Sequence, residues 1–232
     1  MKLLTTSNTK TNKGVPYGYM TYILHLAPYD LSGFNVCPKA TPGCILGCLN
    51  TSGHGGMFID IEDSKVQQAR IRRTKFFVND REGFMKQLAK EIRAGIAYAT
   101  KKGLIPTFRL NGTSDLSWEK YVMEGGLNVF DTFPYVQFYD YTKVLGRKVS
   151  NYSNYHLTFS RAENNDADVA KAIDAGMNVA IVYHKAMPAQ YNGLNVVNGD
   201  TNDLRFLDPK GVVIGLKAKG RAKKDASGFV IR

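Results

Sequence analysis

Cysteine is scarce in this chain: three residues in 232, namely Cys37, Cys44 and Cys48, all inside one stretch of twelve. An odd number so closely spaced makes no disulfide framework, and in a reducing compartment these residues stay thiols. Long apolar runs are missing as well. No stretch approaches the roughly 20 residues that cross a bilayer, and the opening Met1–Thr6 lacks the apolar core of a signal peptide, so the expected location is the cytoplasm, with no membrane partner. Internal repeats, low-complexity tracts and domain linkers are also lacking, and residues 1–232 read as one domain. Acidic residues are the minority charge, 20 against 31 Lys and Arg, for a net charge of +11. That excess favours anionic partners, nucleic acid among them, because a polyanion gains from counterion release. A plain basic surface accounts for it equally, since the positive residues are scattered over several segments.

What is present is a globular composition, 44% hydrophobic and 22% charged, enough for a substantial core. Tyr19 to Leu26 is rich in β-branched and aromatic residues and reads as a first strand. Pro28 to Gly56, with its prolines, glycines and all three cysteines, reads as a long loop of the functional kind. Helical spacing follows from about Ile61 to Thr74 and again from Asp80 to Lys102, where Phe84, Leu88, Ile92 and Ile96 share a face. Asp80 is the expected N-cap of the second helix, and Gly103 ends it. Short apolar runs then recur at Ile105–Leu110, Tyr135–Tyr139, Tyr155–Phe159, Asn178–Tyr183 and Val212–Leu216, with a helix over Asp166–Ala175 crossing between two of them. This is the grammar of an α/β fold with a mainly parallel sheet. Tyr191 to Asn202 reads as a hairpin or excursion.

Polar residues follow the predicted strands: Arg109, Asn111, Thr113 and Asp115 after one, Asp140, Tyr141 and Lys143 after another, Ser160 and Arg161, His184 and Lys185, then Lys217 and Lys219. In strand-helix barrels the ligand site is built at the carboxyl ends of the strands, so these groups are expected to converge. Within Asn111–Asp115, Gly112 permits close approach of a ligand to the backbone, although the segment also suits an ordinary turn. Trp118 is expected to pack rather than to wall a pocket.

Cys37, Cys44 and Cys48 are separated by six and three residues in a loop stiffened by prolines, a geometry suited to wrapping a metal centre. The expected centre is an iron-sulfur cluster, with one iron left open by a three-cysteine set. Zinc is the alternative, with His54 completing a Cys3His set, and unliganded thiols are the third reading. The run Arg70, Arg72, Arg73 and Lys75 and the basic segment Lys217–Lys224 read as solvated faces or as phosphate contacts, and Asp200, Asp203 and Asp208 match no metal loop.

A three-cysteine loop after a first strand, followed by helices and strands with polar ends, resembles the radical S-adenosylmethionine enzymes. More closely, Asn35–Ala40, Gly43–Cys48, Arg109–Asp115 and Gln137–Lys143 resemble the gene product 88-like proteins of bacteriophages, through most of the chain. The first resemblance implies a partial (β/α) barrel of about six mainly parallel strands. It also implies a 4Fe-4S cluster on Cys37, Cys44 and Cys48 and S-adenosylmethionine on the open iron. An electron donor and an unidentified substrate would complete that chemistry, with Asn111, Thr113, Asp115, Asp140 and Ser160 as cofactor contacts. Two further expectations stand beside it: an iron-sulfur module for binding or redox sensing without radical chemistry, and a zinc-stabilised nucleic-acid-binding protein. The second resemblance places the protein in the cytoplasm of a phage host.

Overall fold

The computed structural model describes residues 1–6, 12–51 and 63–232. Its strands are β1 (Leu4–Thr5), β2 (Tyr19–Leu24), β3 (Ile105–Arg109), β4 (Gln137–Thr142), β5 (Tyr155–Ser160), β6 (Val179–Tyr183), β7 (Gln190–Tyr191), β8 (Leu194–Asn198), β9 (Val213–Lys217) and β10 (Val230–Ile231). They form one sheet in the order β1-β2-β3-β4-β5-β6-β9-β8-β7, with β10 on β6. Neighbours from β2 through β6 to β9 and β8 run parallel, and only β1 on β2 and β7 on β8 are antiparallel. The helices are α1 (Pro42–Leu46), α2 (Lys65–Asn79), α3 (Arg81–Lys101), α4 (Val129–Thr132) and α5 (Asp166–Asp174).

All six predicted strands are present, and so are the two long helices and the crossing helix. The α3 boundary follows the sequence signal: Asp80 Oδ1 accepts from Gly83 N at 2.9 Å, and Gly103 takes φ +68° just beyond the last turn. Phe84, Leu88 and Ile92 on α3 are fully buried with Phe108 on β3 and Phe138 on β4, each side chain contributing about 1.5–3 kcal/mol by leaving water. Phe77 of α2 packs edge-on against Phe84 and tilted against Trp118. Trp118 is a core residue, as expected.

Two expectations change. Where about six mainly parallel strands were expected, the sheet is ten-stranded and mostly parallel; it is not closed, and it ends in the two-residue antiparallel strands β1 and β7, whose brevity limits further pairing at its edges. Helices also alternate with strands only in part. The β4–β5 connection carries no helix, and β6 reaches β9 through the β7–β8 hairpin, which matches the excursion expected near Tyr191–Asn202. The start expected for the first long helix, at Ile61, lies outside the described residues, and α2 is described from Lys65 with Ser64 as its N-cap.

One feature prepares the site. β5 pairs with β6 only at Phe159–Val179 and Ser160–Ala180, and β10 then takes over the same edge of β6 at Val182 and Tyr183. The chain's last strand therefore fills the lane that β5 leaves near the carboxyl ends of the sheet.

Candidate ligand-binding site

Because the central strands are parallel, their carboxyl ends lie along one edge, and there the loops enclose a cavity of about 210 Å³. Its wall takes Arg109 from β3, Asn111 to Asp115 from the loop after it, and Tyr141, Thr142 and Lys143 from β4 and its end. Ser160, Val182 and Leu216 come from β5, β6 and β9, and Cys37, Cys44 and Cys48 from the cysteine loop. Lys217, Lys219, Ala222 and Phe229 close the remaining side. Of the expected strand-end residues, Asp140, Arg161, His184 and Lys185 are not on this wall.

Several expected contacts direct their polar atoms into the protein. Asn111 Oδ1 accepts from Ser114 Oγ, Leu116 N and Trp118 Nε1, and its Nδ2 donates to Leu116 O, so this side chain organises its own loop. Thr113 Oγ1 donates to Leu26 O at 2.5 Å. Asp115 accepts from Thr142 Oγ1 and Lys143 N, both at 2.7 Å, and burial raises its carboxyl above the ordinary range against those bonds. Asp140, fully buried, accepts from Asn111 N and from Tyr155 Oη. Gly112 leaves no room for a side chain, since a Cβ would meet Ile23 Cγ2 at 2.5 Å and Leu24 O at 2.7 Å. Its smallness admits the end of β2 rather than a ligand.

The cysteine loop is built by α1 and by Glu163. Thr41 caps α1, with Pro42 in its first turn, and Glu163 accepts from Thr41 Oγ1 and Gly43 N at 2.7 Å each. A Cβ on Gly43 would stand 2.1 Å from Ser227 Oγ, so the C-terminal segment presses directly on the loop. Although the three thiols reach one cavity, each answers to different neighbours. Cys37 Sγ accepts from Tyr29 N at 3.3 Å and faces Thr113 O at 3.8 Å. Burial, opposed by the Tyr29 N–H, pushes the Cys37 thiol up to about 12. Cys48 is likewise raised by burial, with the Asn50 N–H opposing, while Cys44 is hydrogen-bonded to Lys143.

Among the described residues no group of three or more Cys, His, Asp or Glu side chains is placed to hold a metal ion. This corrects the expected iron-sulfur function, radical or purely binding, since the three cysteines are not placed as a ligand set. The fourth ligand of the zinc-stabilised alternative, His54, lies outside the described residues. The three aspartates expected to make no metal loop are held by cations: Asp200 by Lys219, Asp203 by Arg109 and Asp208 by Arg205.

Lys143 on the cavity wall is half-buried, and its Nζ lies 3.5 Å from Ser160 Oγ. Burial opposes the ammonium, but Cys44 and Asp115 outweigh it and raise its pKa. Among the described residues no carboxylate lies within ion-pair distance of Lys143. Arg109 is buried and paired with Asp203 at 2.5 Å, yet its Nε has no hydrogen-bond partner among the described residues; nor has Tyr141 Oη. The Arg109 guanidinium sits 5.1 Å from the Tyr141 ring centre. The sequence named Arg109, Tyr141 and Lys143 as strand-end groups but gave no sign of Glu163, Ala222 or Phe229. Glu163 reaches α1 from the segment after β5, and Ala222 and Phe229 reach it from the C-terminal segment, long-range contacts without a local signature.

These features define an α/β protein with a lysine-bearing cavity at the carboxyl ends of a parallel sheet. The family model described as Gene product 88 matches residues 2–232, and the chain belongs to that family. No curated protein and no solved structure matches. Neither the geometry nor the comparisons support the likeness to radical enzymes. Among the described residues, no helix is long and apolar enough to cross a membrane.

Proposed function

We propose that the protein binds a small ligand bearing a phosphate or carboxylate group, with the Lys143 ammonium as its counter-ion. The observation that carries this reading is Lys143 itself: a half-buried cation on a cavity wall, with a hydroxyl beside it and no carboxylate paired to it among the described residues. Cys44 and Asp115 already favour the ammonium over burial, so Lys143 is charged at the wall, and an anion entering the cavity gains a charge-assisted hydrogen bond from it. Arg109 Nε and Tyr141 Oη, two buried polar atoms without hydrogen-bond partners among the described residues, add donors near the same wall. Val182, Leu216 and Phe229 supply an apolar side, so the ligand carries an apolar portion next to its charge. Seven successive parallel strands with a cavity at their carboxyl ends also support reading the sheet as an open segment of a (β/α) barrel, in which ligands sit at that end.

The test is a thermal-shift and calorimetric panel on the whole chain with inorganic phosphate, adenosine monophosphate, methionine and S-adenosylmethionine. At least one anion is expected to raise the melting temperature of the native protein and not that of Lys143→Met. A panel without any shift, or equal shifts in both proteins, overturns the reading.

A further inference from the structure

We infer that the segment Lys217–Lys224 is a docking surface for a single phosphodiester strand whose terminal phosphate enters the cavity at Lys143; this rests on the cavity being an anion site. Five of these eight residues, Lys217, Lys219, Arg221, Lys223 and Lys224, are cationic and none is acidic. All five are exposed, and only Lys219 has an ion-pair partner among the described residues, Asp200 at 2.5 Å. The one acid just beyond, Asp225, is turned onto Ser227 and Val230 N, so it neutralises none of them.

The segment is a wall of the cavity and not a loose basic tail. Ala218 and Ala222 are buried between the outward cations, and a Cβ on Gly47 would meet Ala222 Cβ and Phe229 Cδ1 at 3.3 Å each. Lys217 and Lys219 line the cavity itself, Lys219 paired with Asp200, so cations continue from the cavity wall outward to Arg221, Lys223 and Lys224. At about 210 Å³ the cavity is smaller than the roughly 300–1,000 Å³ of pockets that enclose a whole drug-sized ligand. It therefore accommodates one end of a longer molecule. A chain with repeated negative charge is complementary to the row of cations that leads away from the opening. A flat anionic bilayer meets the outer cations but cannot place a headgroup beside Lys143 within the recess.

The test uses the full chain and a single-stranded oligodeoxynucleotide of about ten nucleotides, with or without a 5′ or 3′ terminal phosphate, read by fluorescence anisotropy across a salt series. Binding is expected to favour one phosphorylated end. Substituting Arg221, Lys223 and Lys224 together by Gln should weaken it about tenfold or more, and flatten the plot of log affinity against log salt by about 2. These side chains are exposed and off the cavity wall, so the melting temperature and the small-anion shift should be unchanged in that variant. Lys143→Met should abolish the preference for a terminal phosphate while leaving salt-dependent strand binding. Equal affinity in the triple variant, or indifference to the terminal phosphate, overturns the inference. Anion binding without strand binding, or binding to anionic vesicles in place of the strand, overturns it while leaving the cavity reading intact. If neither anion nor strand binds, both fall.

Discussion

The main-chain N–H of Asn111 donates to Asp140 Oδ1 at 2.8 Å, tying the loop after β3 to the end of β4 beneath the cavity. Tyr155 Oη donates to the other carboxylate oxygen at 3.3 Å and accepts from Arg147, which is itself paired with Glu119. A buried polar chain therefore holds the cavity floor, and its weak point is the charge on Asp140.

Burial raises the Asp140 carboxyl to about 7, against the opposing pull of Arg109 and the Asn111 N–H. A folded-state value above the unfolded one means that the folded protein binds the proton more tightly. The contribution to stability is complete below about pH 4 and is lost as pH rises through about 7. Asp140→Asn should remove that dependence, and melting curves between about pH 4 and 8 would show a flatter profile than the native protein. An unchanged profile would mean that other groups set it.

Asn111→Ala removes the acceptor shared by Leu116 N and Trp118 Nε1, both buried. Leaving these donors unsatisfied should cost about 2–4 kcal/mol in total. At roughly 2–4 °C per kcal/mol for a chain of this size, chemical denaturation and a melting-temperature loss of about 4–16 °C would report it.

Gly112→Ala should destabilise by about 1–3 kcal/mol, because the new methyl lands on Ile23 and the Leu24 carbonyl. Urea unfolding should show the midpoint falling with little change in slope.

Lys143→Met replaces a half-buried ammonium by an apolar chain of similar length, so the melting temperature without ligand should stay within a few degrees or rise. Anion-dependent stabilisation should vanish. For a ligand at a hundred times its dissociation constant, that is a loss of about 2.7 kcal/mol.

Cys37, pushed up to about 12 by burial, should be alkylated slowly near neutral pH, with the rate climbing as pH rises, because the thiolate is the reactive form. Glu163→Gln weakens the two bonds that hold Thr41 and Gly43, and should speed labelling of the loop cysteines, read by mass spectrometry of alkylated peptides. Equal labelling rates in the variant would show that the C-terminal segment alone holds the loop.

Much of the scaffold could be read from short-range signals. Phe84, Leu88 and Ile92 recur at helical spacing because one face of α3 is buried, and Asp80 caps the helix because its side chain reaches a free N–H. Parallel strands buried on both faces advertise themselves as apolar runs. β1 and β10, at two residues each, are too short to leave such a pattern, and they exist only because β2 and β6 offer open edges. At the site, spacing brought the three cysteines to one cavity wall, but spacing carries no information on where each sulfur points. Tyr29 N and Lys143, drawn from other parts of the chain, decide that. Gly112 shows the same limit: its need for space was legible, but the β2 backbone that takes up the space was not.

Between Lys217 and Lys224 charged side chains face outward while Ala218 and Ala222 face inward, and this alternation sets how related sequences can vary there. Ala222, which faces Gly47, has little room for a larger side chain without lifting the segment off α1, whereas the outward positions can exchange Lys for Arg freely. Drift along this stretch should therefore preserve small volume at Ala222 and sign at the five cationic positions.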